Sequence, residues 1–172
     1  MIDSPTFRRT VGQFATGVTV ITIEAEGAVH AMTANSFTSL SLDPPLVLFC
    51  VGRDTKMGQL VQGARGFSVN ILHAGQQDIS SYFAGAWRQE TVPAFRFARG
   101  EGTARLEGCA AALECSMYAV YEGGDHWIVV GRVAAVHRTD KGCRPLVFFD
   151  GRYVSVDDVL ADSAPARPAE GV

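Results

Sequence analysis

Apolar and β-branched residues, in runs bounded by glycine, proline or charged residues, predict a series of short strands along most of the chain. The runs cover residues 18–23, 28–42, 46–51, 67–72, 109–121, 127–136, 145–149 and 153–156. A polar turn, Glu122-Gly123-Gly124-Asp125, separates the two longest runs near the C-terminus and predicts a hairpin. Such a series of strands is typical of a mainly antiparallel barrel.

Three groups of apolar residues recur instead at helical spacing and predict short helices. They are Phe7, Val11 and Phe14; Met57, Leu60 and Val61; and Ile79, Tyr82 and Phe83. Ser4-Pro5 is typical of a helix start, with Ser4 as the N-cap, and we expect Gly17 to end that helix. Residues 84–102 show no period and predict a long loop, which in a compact domain is often functional.

Length and composition indicate one globular domain. The chain has 172 residues, of which 47% are hydrophobic, so it can bury a core without a disulfide or metal. We expect the domain to span residues 1–160. Residues 161–172 contain Pro165 and Pro168 and predict a disordered tail.

Charge and cysteine content exclude several classes of function. The chain has 15 basic and 18 acidic residues, and this balance argues against a nucleic-acid surface. Its start is unlike a signal peptide, and no apolar segment is long enough to span a membrane. The cysteines form no CxxC pair, and no histidine stands at zinc spacing. These features predict a cytoplasmic protein with reduced thiols and no metal site.

Residues 32–39 carry the first candidate chemistry. Thr33, Asn35 and Ser36 are small and polar within an otherwise apolar run. Small side chains let a flat ligand approach the backbone, and their polar groups suit the carbonyl oxygens and N5 of a flavin ring. The alternative is an edge strand with a solvated face.

A second candidate is the predicted helix start at Asp54-Thr55-Lys56. Free N–H groups at a helix start, a hydroxyl and a lysine can hold a phosphate. The alternative is an ordinary N-cap beside a solvated lysine, and the charge of Asp54 opposes phosphate binding.

Two further candidates follow turns near the C-terminus. His126 comes directly after Asp125 at the hairpin tip and can donate to a nicotinamide carboxamide, with the aspartate fixing its tautomer. Tyr153 follows Gly151-Arg152 and can cover a ring. A surface histidine and a buried tyrosine are the alternatives. No GxGxxG, Walker A, HExxH or GxSxG motif is present, so a nucleotide would not be held by a Rossmann unit.

These segments, in this order, resemble the short-chain flavin reductases, the small reductase components of two-component flavin monooxygenases. The matching stretches are Phe14-Ala15-Thr16-Gly17-Val18-Thr19-Val20, residues 32–39, Ser41-Leu42-Asp43-Pro44-Pro45-Leu46-Val47, Phe67-Ser68-Val69-Asn70-Ile71-Leu72, Gly124-Asp125-His126, and Pro145-Leu146-Val147-Phe148-Phe149 with Gly151 and Tyr153. The resemblance implies an FMN-binding split barrel, a six-stranded antiparallel Greek-key barrel with a few short helices that forms a homodimer.

The resemblance also implies roles for particular residues. Those lining or adjoining the flavin ring are Thr33, Ala34, Asn35, Ser36, Ser39, Ser41, Cys50 and Tyr153. Those at the phosphate and the flavin tail are Thr55, Lys56, Ser81, Tyr82 and Phe83. His126 contacts the nicotinamide. The family often has a serine-rich stretch before the phosphate helix, whereas this chain reads Arg53-Asp54-Thr55-Lys56.

The activity implied is that of an NAD(P)H:flavin oxidoreductase. Hydride would pass from NADH or NADPH to FAD or FMN, and the reduced flavin would diffuse to a separate monooxygenase. Alternatives are a flavin carrier or electron-transfer protein without NADH turnover, an oxidase acting on a small phosphorylated substrate, and a barrel without a ligand.

Overall fold

A computed structural model describes residues 2–100, 103–139, 142–154 and 156, which form a mainly β domain with short helices. The helices are α1 (Ser4–Val11), α2 (Lys56–Leu60) and α3 (Gln77–Phe83), with single 3-10 turns at Val61–Gly63 and Ala74–Gln76. The strands are β1 (Thr16–Gly17), β2 (Thr19–Ala25), β3 (Ala28–Ala34), β4 (Thr38–Leu42), β5 (Pro45–Gly52), β6 (Gly66–Ile71), β7 (Phe97–Ala98), β8 (Arg105–Leu106), β9 (Ala111–Gly123), β10 (His126–Arg138), β11 (Val147–Phe149) and β12 (Arg152–Val154). The tail predicted at 161–172 lies outside the described residues.

Seven antiparallel strands form the main sheet in the order β3-β2-β6-β9-β10-β5-β4. Strands β3 and β4 lie at opposite edges of this order, yet only residues 35–37 join them along the chain. So short a link spans at most about 14 Å. The sheet must therefore curl until its two edges meet, which makes it a barrel, as predicted.

The expected strand number was wrong by one. The resemblance implied six strands, whereas the main sheet has seven. The run predicted at 28–42 divides into β3 and β4 because Ser36 leaves the ladder and hydrogen-bonds the backbone of Cys50. One predicted extended segment therefore supplies both edges of the barrel.

Two smaller sheets complete the fold. The first has the order β1-β11-β12 and sets Thr16 opposite Phe148, which in turn pairs with Tyr153. The second pairs β7 with β8. Part of the loop predicted at 84–102 is thus a strand. Phe95 and Phe97 in this segment pack their rings on Phe83 of α3, with ring centroids 4.9 Å apart for Phe83 and Phe95.

Helix α1 differs from the prediction at both ends. Asp3, not Ser4, is the N-cap, because its Oδ1 accepts the Thr6 N–H at 2.8 Å. The helix ends at Val11, so Phe14 lies beyond it and Gly17 belongs to β1. None of the helices in the described residues has the length and apolar character needed to cross a bilayer.

Asn70 makes three hydrogen bonds on the face of β6 that is covered by β8. It is fully buried on β6, and its amide nitrogen donates to Val20 O at 2.8 Å and to Thr22 Oγ1 at 3.2 Å. Its amide oxygen accepts the Leu106 N–H at 2.7 Å. A single side chain therefore ties β6 to β2 and to β8. On the opposite face of β6, large apolar side chains such as Phe67 fill the barrel, and its ring centroid lies 4.9 Å from that of Phe49.

Candidate functional site

A cleft of about 150 Å³ opens between β3, α3 and the β1-β11-β12 sheet. Its walls are Val18, Thr33, Ala34, Asn35, Ser80, Ala84, Phe148 and Tyr153. The fold thus brings together four residues that the resemblance placed at the flavin ring: Thr33, Ala34, Asn35 and Tyr153. These residues come from segments far apart in the sequence.

A larger cavity of about 340 Å³ adjoins the cleft, and the two share Val18 and Asn35 as walls. It lies against the chain between α1 and β2, and its other walls include Phe14, Phe37 and Ile71. A volume in this range is typical of small-molecule sites. The pair of cavities therefore offers apolar walls with a few polar groups, as a flat heteroaromatic ring requires.

Ser80 holds two walls of the cleft in place. Its backbone oxygen accepts the Thr33 hydroxyl at 2.7 Å, and its own hydroxyl lies 2.8 Å from that of Tyr153. Ser80 is fully buried, and the Phe148 ring packs edge-on against Tyr153 with centroids 5.4 Å apart. The cleft is therefore built before any ligand enters. Because Thr33 already donates its proton, its hydroxyl meets a ligand as an acceptor.

Ser36 connects the cleft to β5. Its hydroxyl accepts the Cys50 N–H at 3.0 Å and donates to the Cys50 carbonyl oxygen at 3.0 Å. The hydroxyl is thus engaged in closing the barrel, so a ring contact from Ser36 would come from its backbone. The neighbouring Asn35 is exposed.

The predicted phosphate segment is an N-capped turn of helix. Thr55 Oγ1 accepts the Gly58 N–H at 3.0 Å and donates to Gly52 O at 2.8 Å, so its hydroxyl caps α2. Gly58 packs so closely on the Gly52 carbonyl that a Cβ at position 58 would overlap it. Lys56 is exposed. Of the two residues predicted to hold a phosphate, Lys56 is the one whose side-chain donors are not used by the cap.

His126 and Asp125 form a hydrogen-bonded pair where the β9–β10 hairpin turns. His126 Nδ1 lies 2.7 Å from Asp125 Oδ1, and both side chains reach solvent. The hydrogen bond to His126 lowers the pKa of the Asp125 carboxyl. A lowered carboxyl pKa stabilises the pair above the group's ordinary pKa, and this contribution is lost only as the pH falls through the lowered value. The imidazole is therefore held, with Nε2 left to face a ligand.

Register places these groups along one strip of the surface. Ser36, next to Asn35, is bonded to Cys50, and Gly52 follows two residues further along β5, a distance of about 6.6 Å in a strand. Gly52 is the direct partner of His126 in β10. The strip therefore runs from the cleft to the Asp125–His126 pair.

Other predicted residues lie away from the cleft walls. Ser39 and Ser41 are on the edge strand β4, on either side of an irregularity in its pairing with β5. The resemblance placed Ser81, Tyr82 and Phe83 at the flavin tail. They form the last turn of α3, where the rings of Tyr82 and Phe83 pack on Phe95. Their predicted flavin contacts remain predictions.

Sequence reasoning missed Ser80, although it predicted its neighbour Ser81. On the predicted helix, Ser80 stands directly beside the apolar Ile79. A small polar residue there, with Thr33 and Tyr153 elsewhere in the chain, gives no local signal of a shared contact. The contact forms only through tertiary packing.

Thiol reactivity offers a test of where the flavin lies. Burial raises the pKa of Cys109 to about 11 and of Cys115 to about 12, and it raises the pKa of the half-buried Cys50. Cys143 is exposed. We expect a thiol-specific reagent at mildly alkaline pH to modify Cys143 quickly, Cys50 slowly, and the other two only after unfolding.

Added FMN should slow the modification of Cys50, because Cys50 lies on the strip beside Ser36. The rate at Cys143 serves as the internal control and should not change. Mass spectrometry of the labelled peptides separates the sites. Equal rates at Cys50 with and without saturating FMN would contradict the placement of the flavin.

A curled antiparallel sheet with a polar-and-apolar cleft beside its edge strand β3 fits the class of split barrels that the resemblance implied. The chain belongs to the flavin reductase family, since the family model for the "flavin reductase like domain" matches residues 11–157. The chain is 43% identical over 156 residues to the NADH-dependent FAD reductase of Streptomyces globisporus. That alignment covers 88% of this chain and 85% of the relative.

Solved structures agree with this assignment. The flavin reductase PheA2 in its native state superposes with a TM-score of 0.84 at 38% identity, covering 91% of this chain and 99% of that one. The NADH:FAD oxidoreductase SgcE6 from Streptomyces globisporus, in complex with NAD and FAD fragments, superposes with a TM-score of 0.82 at 38% identity. That alignment covers 94% of this chain and 96% of SgcE6.

Proposed function

We propose that this protein is an NAD(P)H:flavin oxidoreductase that reduces FAD or FMN and supplies the reduced flavin, by diffusion, to a separate monooxygenase. The observation that carries the proposal is the strip that joins the preformed cleft to the Asp125–His126 pair. One end suits a flavin ring, and the other suits a nicotinamide. The relative from Streptomyces globisporus is named for NADH and FAD, and several others are named as reductase components of monooxygenases.

The chemistry divides simply between ligands and protein. A bound flavin supplies a hydride acceptor at N5, and the nicotinamide supplies the hydride from C4. The protein's part is to stack the two rings at reacting distance and to exclude other orientations. Thr33 offers an acceptor, Asn35 an amide and Tyr153 a flanking ring, while His126 orients the carboxamide. No side chain needs to act as a nucleophile.

Steady-state NADH oxidation by the pure protein tests the proposal. FMN, FAD and riboflavin are added in turn, and NADPH replaces NADH in a parallel series. We expect oxidation only when a flavin is present, and the flavin with the highest kcat/KM is the natural acceptor. Flavin binding without oxidation of either nucleotide would contradict the reductase and favour a carrier.

We further propose that the protein is a cytoplasmic homodimer. Large apolar side chains are exposed on the edge strand β4 and on the β9–β10 hairpin, including Leu42 at 78%, Val136 at 64% and Tyr118 at 52%. Exposed apolar side chains and a strand paired on one side only, as β4 is with β5, are typical of interfaces.

A charge placed in this surface should dissociate the dimer. We expect Leu42→Asp to shift the molecular mass in solution from that of a dimer towards that of a monomer, measured by sedimentation equilibrium. Val92→Asp is the matched control, because Val92 is also exposed but lies in the loop after α3. A monomeric wild type, or a dimer that Leu42→Asp leaves intact, would contradict this interface.

A further inference from the structure

Arg53 is bound to the His126 pair through its backbone. Its N–H donates to the Asp125 carbonyl oxygen at 3.0 Å, and the preceding Gly52 is the strand partner of His126. The backbone of Arg53 is therefore fixed beside the end of the strip where the nicotinamide is proposed to bind.

The side chain of Arg53 is also held. Its guanidinium carbon lies 4.3 Å from the centroid of the Trp127 ring, and Trp127 itself packs against the core. Stacking on an aromatic face orients a planar guanidinium and reduces the entropy it loses on binding a ligand. Lys56, by contrast, is exposed, and its ammonium group sits on a flexible four-carbon stem.

The donors of Arg53 remain open to an anion. Glu122 Oε1 is the nearest carboxylate, and its 3.7 Å separation from Nη1 is too long for a hydrogen bond. The Arg53 side chain is 39% exposed and that of Glu122 is 72% exposed, so the carboxylate can turn to solvent. A rigid fork of N–H donors in this state matches a phosphate group, which it can bind bidentately.

We propose that Arg53, stacked on Trp127, binds the phosphate next to the nicotinamide riboside of the hydride donor, and that Glu122 is the anion it exchanges for that phosphate. This inference rests on the proposed function and adds a specificity residue to it. The flavin phosphate is left to Lys56, which follows the cap of α2. The phosphate on the nicotinamide side and the flavin phosphate would thus bind separate cations.

Truncated hydride donors test the assignment. NADH, reduced nicotinamide mononucleotide and reduced nicotinamide riboside share the same ring, but the riboside has no phosphate. Riboflavin serves as the acceptor, so that no flavin phosphate is present. We expect Arg53→Met to raise the KM for NADH and for the mononucleotide about tenfold, which corresponds to about 1.4 kcal/mol, because the phosphate loses its hydrogen bonds to the guanidinium. The KM for the riboside should stay within about twofold.

Three further variants sharpen the test. Arg53→Lys keeps the charge but not the planar fork of donors. Its KM for NADH should therefore lie between those of Arg53→Met and the wild type. Glu122→Gln removes the competing anion and should lower the KM for NADH about twofold, a change in the opposite direction. Arg138→Met, at the far end of β10, is the matched control and should change none of the constants.

A fluorescence measurement tests Arg53 without turnover. Trp87 and Trp127 are the two tryptophans of the chain, so Trp87→Phe leaves Trp127 as the only indole. Nicotinamide mononucleotide should change its emission, and Arg53→Met should abolish that response.

Three results would overturn the assignment. Arg53→Met could raise the KM by the same factor for all three donors, or it could raise the KM for FMN while leaving that for NADH unchanged. The third result is mononucleotide binding that does not depend on Arg53. Failure of the wild type to oxidise any donor with any flavin would instead contradict the proposed function. In that case the fluorescence titration still decides whether Arg53 binds the phosphate.

Discussion

Replacing His126 with alanine should raise the KM for NADH about tenfold while lowering kcat by less than about threefold. The expected loss corresponds to about one hydrogen bond, roughly 1–1.5 kcal/mol, and a tenfold change in an equilibrium is about 1.4 kcal/mol. The imidazole is held by Asp125 at 2.7 Å, and its proposed role is to orient the carboxamide, while hydride transfer requires no proton from it. Steady-state kinetics with saturating FMN separates the two constants.

Two variants control this result. Asp125→Asn should give a smaller increase in KM, because the imidazole stays in place while its tautomer is no longer fixed. His30→Ala should have no effect, since His30 hydrogen-bonds Ala25 O within the β2–β3 hairpin. An unchanged KM in His126→Ala would remove the nicotinamide role, and a kcat reduced more than the KM is raised would make His126 part of the chemical step.

Replacing Asn70 with alanine should lower the free energy of unfolding by about 3–5 kcal/mol. A buried polar group left without its partner costs about 1–3 kcal/mol, and this substitution removes the partners of several such groups at once. The Leu106 N–H loses its acceptor at 2.7 Å, and Val20 O loses a donor at 2.8 Å. The cavity left by the amide adds to the loss.

Urea unfolding followed by fluorescence measures the effect. Ser116→Ala is the matched control, because Ser116 is exposed on β9, the strand paired with β6, and surface changes of this kind stay within about 0.5 kcal/mol. A loss of less than about 1 kcal/mol in Asn70→Ala would show that the network contributes little to stability.

Local sequence patterns predicted several elements correctly, although they misplaced both ends of α1. The glycine-rich turn between two long apolar runs predicted the β9–β10 hairpin, which the structure confirms. The apolar run at 46–51 lies in β5, where Phe49 and Val51 face the core and Cys50 is half-buried. The segment Asp54-Thr55-Lys56, followed by a helical pattern, predicted the start of α2, and the structure shows Thr55 as the N-cap.

Contacts between distant residues could not be predicted in this way. Whether the run at 28–42 formed one strand or two depended on Ser36 meeting Cys50, which no local pattern encodes. Local pattern likewise gives no sign of the hydrogen bond between Tyr153 and Ser80 or of the stacking of Arg53 on Trp127. The residue pattern at 32–39 offered one candidate flavin site beside an alternative, the family resemblance assigned the ring contacts, and the structure adds how Thr33 and Tyr153 are held.

Anaerobic mixing of NADH with a large excess of FMN over protein tests the central claim most directly, because it separates a catalyst from a carrier. The loss of oxidised-flavin absorbance is followed together with the loss of NADH. The account predicts that one flavin is reduced for each NADH consumed. It also predicts that each protein molecule reduces many flavin molecules, because the reduced flavin leaves. Reduction that stops at one flavin per protein, or no reduction at all, would contradict it.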